Sequence, residues 1–371
     1  MKQKLFLATM AAIAMTSCSN DETLEINTGT EQAIDFRTAM ATRATETTID
    51  NLSSFYVTAF NENIIEAPYF ENLEFTKDGD SSIFTSEDKY YYPGDGTDLT
   101  FYAYAPSAEK LGTGSRIATD NENKNLTLAD FSPAVEIVDQ VDFITAYATG
   151  SKSDAETGVH LAFEHRLSQI EIQAIQQSNK VYNFQIKGVR IAQTVSKGGF
   201  DFKNEEWTLS TTDKAKYELE FDQAIPMDEC GGAMLIPQEL TAWDVANDKE
   251  NTSKGAYISL LLKITTKDGA LVYPFKEDAE AGKEYAWAAI PVDTKWEAGK
   301  KYVYRLNFAN GAGYVDPEED TNKGEQILDG EVKFDVEVTD WESHDYTGDM
   351  ESGETTEDLD ETDTEDPFGD E

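Results

Sequence analysis

Three histidines, His160, His165 and His344, supply every imidazole in the chain. Nucleophilic catalysis needs a base beside its nucleophile and a third group to orient that base. His344 sits beside an acidic C-terminal run, while His160 and His165 are five residues apart and fall on opposite faces of a regular strand. No catalytic constellation follows from that spacing, so an enzyme is not expected and His165 reads as a packed or hydrogen-bonded residue. Asp316, Glu318, Glu319 and Asp320 offer the oxygen ligands that hard cations favour. Their spacing departs from the Asp-x-Asp-x-Asp-Gly calcium loop, so they read as a solvated acidic loop, and neither a metal nor another cofactor is expected. Tyr90, Tyr91 and Tyr92, with Phe101, Tyr102 and Tyr104, offer aromatic faces to an amphipathic ligand such as a sugar. Strand alternation assigns at least some of them to a core instead.

Cysteine is the remaining reactive type. Lys2 and Lys4 precede an apolar run from Leu5 to Met15, the positive and apolar regions of a secretory signal. A membrane-spanning helix needs about 20 apolar residues, and this run is shorter. It ends in Met15-Thr16-Ser17-Cys18, which resembles a bacterial lipobox, whose cysteine takes the lipid. Several acyl chains, at about 0.8 kcal/mol per buried methylene, anchor more firmly than one. Ser19-Asn20-Asp21-Glu22 is similar to the acidic tag that sends Bacteroidetes lipoproteins to the outer face of the outer membrane. The expectation is a surface-exposed lipoprotein of the cell outer membrane, lipidated on Cys18. Cys230 is then left without a partner within the chain, so the fold must stand on its hydrophobic cores.

The elements that carry these residues read as β throughout. Ser54 to Phe60, Leu99 to Tyr104, Tyr182 to Ile186, Tyr257 to Ile264 and Tyr302 to Phe308 alternate aromatic or β-branched residues with polar ones, bounded by Gly, Asp, Asn and Pro. Leu126 to Asp130 and Leu240 to Ala246 are candidates for single helical turns. So many strands exceed one sandwich and suit two, with a seam in Val159 to Ile172. The chain divides into a signal peptide (1–17), a lipidated N-terminal segment (18–48), an N-terminal sandwich (49–165), a C-terminal sandwich (166–341) and an acidic tail (342–371). All five tryptophans lie beyond the seam, which suggests the bulkier core for the second sandwich. A formal charge of -42 argues against nucleic acid as a partner. Twelve acids from Asp349 to Glu371, with no Lys or Arg among them, make a self-repelling segment expected to be disordered. The residues from Asn310 to Gly330 read as a flexible tether.

Taken in order, several of these stretches resemble the fimbrillin family, the donor-strand pilus subunits of Bacteroidetes. They are the lipobox at Cys18, Thr42-Arg43-Ala44, Leu161 to Ser168, Met234 to Pro237, Trp296 to Tyr304, Gly311 to Pro317 and the closing stretch Val332 to Trp341. The resemblance implies an all-β fold of two tandem transthyretin-like Greek-key β-sandwiches. It implies a structural or adhesive pilus subunit, reaching the fimbrium after maturation, whose partners are other fimbrial subunits in a homo- or hetero-polymer. In the family an arginine-specific protease removes the first strand, and a neighbour's strand fills the groove. Strand addition of this kind draws affinity from main-chain hydrogen bonds and specificity from alternate side chains. Carried over by position, the removable strand is Ala33 to Arg37, with Ile34 and Phe36 inward, and cleavage follows Arg43, with Arg37 a competing site. Val332, Phe334, Val336 and Val338 alternate with polar residues, so their strand can complete its own domain or be donated. The alternative is a non-polymerising surface lipoprotein that binds a host glycan or protein.

Overall fold

Alternating side chains become strands wherever one face can be buried, and four sheets result among the described residues. The computed structural model describes residues 47, 51–77, 83–152, 159–175, 181–225, 229–309, 311–330, 332–341 and 349–350, all within one compact unit spanning residues 37–371. Strand β1 (Ser54–Asn61) lies between β2 (Phe70–Lys77) and β4 (Leu99–Ala105), all antiparallel. The short β3 (Ile83–Thr85) extends the sheet beyond β2, and β7 (Ile144–Gly150) and β8 (Glu164–His165) extend it beyond β4. Both faces of this sheet are covered. Phe55, Val57 and Ala59 pack with Phe101, Ala103 and Ile144 beneath Val159, Leu161 and Phe163, while Phe60, Tyr102 and Tyr104 face a second sheet.

That second sheet crosses the sequence seam. Strands β5 (Arg116–Asp120) and β6 (Asn125–Phe131) come from the first half of the chain. Their neighbours are β11 (Gly198–Asp201) and β12 (Glu206–Leu209), a hairpin reaching back from the second half, with Phe200 opposite Leu128. The hairpin delivers Trp207, which packs on Phe131, Phe143 and Phe200 and donates its indole N–H to the Arg166 carbonyl at 2.8 Å. Trp207 therefore serves the first sandwich's core, contrary to the expectation that the tryptophans belong to the second. Leu126 to Asp130 is strand rather than helix, because Leu126 and Leu128 alternate into this core. Leu240 to Ala246 is also not helical; main-chain bonds pair Trp243 with Ala256 across an irregular loop. The α-helix among the described residues is Lys276–Glu280.

The second sandwich packs two further sheets. One runs β13 (Lys214–Ile225), β10 (Tyr182–Val195), β15 (Tyr257–Thr266), β17 (Ala286–Pro291), β19 (Tyr314–Val315), with the short β16 (Leu271–Tyr273) also pairing β15. The other runs β14 (Glu229–Leu235), β9 (Ser168–Ile175), β18 (Lys300–Asn307), β20 (Lys333–Asp340), with β9 and β18 parallel. Ile170, Ile172, Leu260, Leu262, Tyr304 and Leu306 meet between them, and Trp296 donates to the Tyr304 hydroxyl at 2.9 Å.

Candidate functional site

Strand β20 follows directly from the alternation of Val332 to Val338. It pairs antiparallel with β18, setting Phe334 opposite Leu306, Val336 opposite Tyr304 and Val338 opposite Tyr302. Val332, Phe334 and Val336 are half-buried against the second core, but Val338 stays 51% exposed. With β18 its one neighbour among the described residues, β20 is an edge strand of the described sheet. Its outward acids pair with β18 cations, Glu337 with Arg305 and Asp340 with Lys300. Exposed pairs contribute little, so β20 rests mainly on main-chain bonds and a half-buried apolar face. A hollow of about 180 Å³ lined by Ile290, Pro291, Tyr314, Val332 and Phe334 lies at its root.

The far end of β20 is held more firmly. The Trp341 ring stacks on His165 with centroids 4.1 Å apart and planes 1° from parallel, and the Trp341 N–H donates to the Gly299 carbonyl at 2.8 Å. His165 Nδ1 lies 2.8 Å from Asp142 Oδ2, both groups buried. The same carboxylate oxygen accepts the main-chain N–H of Thr47 at 2.9 Å. One buried carboxylate thus links Thr47, four residues past Arg43, to the residue that closes β20. The reading of His165 as a packed, hydrogen-bonded group describes what is seen.

The segment from Asn310 to Gly330 is no tether over its described residues. Gly313, at φ +76°, sits where a Cβ would stand 2.5 Å from the Ala289 carbonyl oxygen, and this lets Tyr314 and Val315 pair with β17. Asp316, expected to be solvated, is fully buried. Arg190 Nη1 reaches it at 3.1 Å, the Ser259 hydroxyl donates to it at 2.5 Å and the Glu318 N–H at 2.8 Å. Arg190 also bonds Glu218 at 2.8 Å and lies over the Trp287 ring at 4.1 Å. Burial pushes the Asp316 carboxyl above its ordinary value, and Arg190 and Ser259 hold that rise in check. Nearby, Lys283 bridges Asp278, Glu319 and Asp320, and the ammonium is held well above its usual range chiefly by its bond to Glu319. The acids of this loop are spent on fixing it; no group of three or more His, Cys, Asp or Glu side chains placed to hold a metal occurs among the described residues.

Of the aromatic candidates, Phe101, Tyr102 and Tyr104 are buried, whereas Tyr90 and Tyr91 are 46% and 50% exposed. Tyr90 rests one side of its ring near Phe70, at 4.9 Å, and Tyr69 donates to the Tyr91 carbonyl at 2.6 Å. Cys18, Ile34, Phe36 and Arg43 lie outside the described residues, as does most of the acidic tail. Asp349 and Met350 pair, parallel, with Ile83 and Phe84. No helix among the described residues is long and apolar enough to cross a membrane.

The family described as fimbrillin-like matches residues 42–341. The fimbrium subunit Fim1C of Phocaeicola vulgatus is 26% identical over 260 residues, covering 60% of this chain and 66% of that relative, just under two thirds of its length. Among solved structures, a candidate cell adhesion protein from Bacteroides uniformis aligns at 17% identity and a TM-score of 0.45, over 78% of this chain and 92% of its own. One from Bacteroides ovatus aligns at 15% identity and 0.42, over 79% and 88%. The family match spans both sandwiches and the whole of β20, and the chain belongs to the fimbrillin-like family.

Proposed function

We propose that the protein is a structural subunit of a cell-surface pilus, delivered as a lipoprotein on Cys18 and assembled by strand exchange after cleavage following Arg43. The observation that carries this reading is the family match from residue 42 to residue 341. Fimbrial subunits are structural proteins and not enzymes, in keeping with the packed roles of His165 and the acidic loop. In the free subunit β20 closes its own sandwich. Its exposed edge, single neighbour and half-buried inner face make it the described strand most readily donated to another subunit. Cleavage removes the segment bearing Ile34 and Phe36 together with the lipid, so the anchor is a delivery device.

The test is digestion of the purified lipid-free chain with an arginine-specific protease, followed by mapping of the new N-terminus and electrophoresis without boiling. A terminus at Ala44 with a heat-sensitive ladder of oligomers is expected; complete cleavage at Ala44 with monomers only sinks self-assembly. Exposed Tyr90 and Tyr91 favour a second reading, a surface lipoprotein that binds glycan through an aromatic platform. Glycan-array binding that is lost in Tyr90→Ala and Tyr91→Ala, without any oligomer, supports that reading instead.

A further inference from the structure

Of the ten large apolar or aromatic side chains that stand exposed among the described residues, four rise from two neighbouring loops: Ile64, Ile65, Tyr90 and Tyr91. Both loops lie at the end of the first sandwich where β1 runs out, with Asn61 opposite Leu99 and Leu99 opposite Gly150. The second sandwich meets the first at the other end of β7, where Ile144 pairs with His165 and Trp341 stacks on that ring. Single exposed apolar residues are ordinary, but a group of them marks a contact surface.

The two loops are braced rather than loose. The Ile64 N–H donates to the Asn61 carbonyl at 3.0 Å, and the Ile64 carbonyl accepts the Lys124 ammonium. The Asn63 amide donates to the Thr97 hydroxyl at 3.0 Å, tying one loop to the other. The Tyr69 hydroxyl donates to the Tyr91 carbonyl at 2.6 Å, and the Tyr90 ring lies 4.9 Å from Phe70. A backbone fixed in this way presents its side chains with little ordering left to lose on contact.

The rim of this surface is anionic. Residues 62–69 and 89–98 carry four acids, Glu62, Glu66, Asp95 and Asp98, against one cation, Lys89, and all four acids are exposed. The Thr97 N–H donates to Asp95 at 3.0 Å and holds its carboxyl below the ordinary value, so the charge persists at neutral pH. An anionic lipid surface, a sulfated glycan and a second copy of a chain of formal charge -42 bring no counter-charge to such a rim. A neutral sugar uses the rings and leaves the charge unanswered.

We propose that this end of the first sandwich is a docking surface for a basic protein. Apolar or aromatic side chains of that partner cover Ile64, Ile65, Tyr90 and Tyr91, while its Lys or Arg side chains meet Glu62, Glu66, Asp95 and Asp98. An apolar centre rich in tyrosine inside a charged rim is the anatomy of a protein interface, and opposite charge across the rim supplies the choice of partner. The proposal does not depend on how subunits assemble.

The test follows the fluorescence anisotropy of two labelled synthetic peptides titrated with the lipid-free chain at about 150 mM salt, where charges beyond about 8 Å are screened. One peptide alternates arginine with leucine and phenylalanine; the other has serine in place of leucine and phenylalanine and carries the same charge. The apolar peptide is expected to bind at least tenfold more tightly than its serine counterpart. That excess disappears in the double variant Ile65→Ser, Tyr91→Ser, while the melting temperature holds because both sites are exposed. A second double variant, Glu62→Gln with Glu66→Gln, weakens the apolar peptide at least threefold and flattens its salt dependence. It decides the matter if the first variant does not fold by circular dichroism. Equal affinity for the two peptides overturns the proposal, as does an excess that survives Ile65→Ser with Tyr91→Ser or an affinity that Glu62→Gln with Glu66→Gln leaves unchanged. Binding of a neutral glycan that is lost in Tyr91→Ser, with no preference for the apolar peptide, also overturns it and supports the sugar reading of Tyr90 and Tyr91.

Discussion

Replacing Arg190 with methionine probes the buried latch that turns residues 311–330 into part of the second sandwich. Arg190 is 5% exposed and its partner Asp316 0%. Truncating one member of a buried pair costs about 3–5 kcal/mol, because the remaining charge stays uncompensated. For a body the size of the second sandwich, within about 150–250 residues, 1 kcal/mol shifts Tm by about 2–4 °C, so Arg190→Met is expected to lower Tm by about 6–20 °C. Methionine keeps the apolar stem over Trp287, so the loss reports the charge. The pH dependence carries a sign. Burial already raises Asp316, and without Arg190 its folded value rises further above the unfolded one. The folded variant then binds more protons than the unfolded chain, so its stability falls as pH rises. The penalty is full above the folded value and shrinks as pH drops from 7 toward 4. Asp316→Asn added to Arg190→Met removes the orphaned charge and recovers much of the loss. Differential scanning calorimetry from pH 4 to 8 makes the measurement. A Tm drop below about 2 °C, or a gap between wild type and variant that does not change with pH, refutes the latch.

His165→Leu strips Asp142 of one donor and Trp341 of its stacking ring, and is expected to cost about 1–3 kcal/mol in urea unfolding, with His165→Phe recovering the part due to stacking. Asp248 accepts the N–H groups of Ser253 and Thr252, which hold its carboxyl down at about 2. Its folded value lies below the ordinary one, so its contribution is present above about pH 4 and is lost as pH falls through about 2; the Tm difference from Asp248→Asn should therefore shrink steadily from about pH 4 toward pH 2. Within β20, Val336→Asp buries a polar group and should cost about 1–3 kcal/mol, whereas Val338→Thr, at a 51% exposed position, should stay within about 0.5 kcal/mol.

Strands whose inner faces alternate without interruption were legible in the residues themselves. Ser54 to Phe60, Tyr257 to Ile264 and Val332 to Val338 are strands for the reason their side chains suggest. Partner choice was not legible, since period-2 alternation says nothing about which sheet receives a strand. The hairpin of β11 and β12 looked like property of the second sandwich because of its place in the chain, yet Phe200 and Trp207 pack into the first. Asp316 looked solvated because acids surround it, and its counter-ion stands 126 residues earlier. The usable clue was Arg190, a cation among Val189, Ile191 and Ala192 in a strand whose faces are both apolar. A charge so placed needs a partner, and the chain offers few cations for its many acids.

Strand donation requires β20 to leave its own sandwich when subunits assemble. Val303 and Glu337 are directly opposite across β18 and β20, so Val303→Cys with Glu337→Cys, in a Cys230→Ser background, can staple β20 to its own subunit. After cleavage following Arg43, the oxidised variant should stay monomeric and should form the heat-sensitive ladder once dithiothreitol opens the staple. A ladder formed equally well by the oxidised and reduced subunits would show that β20 never leaves, and would contradict strand donation by this segment.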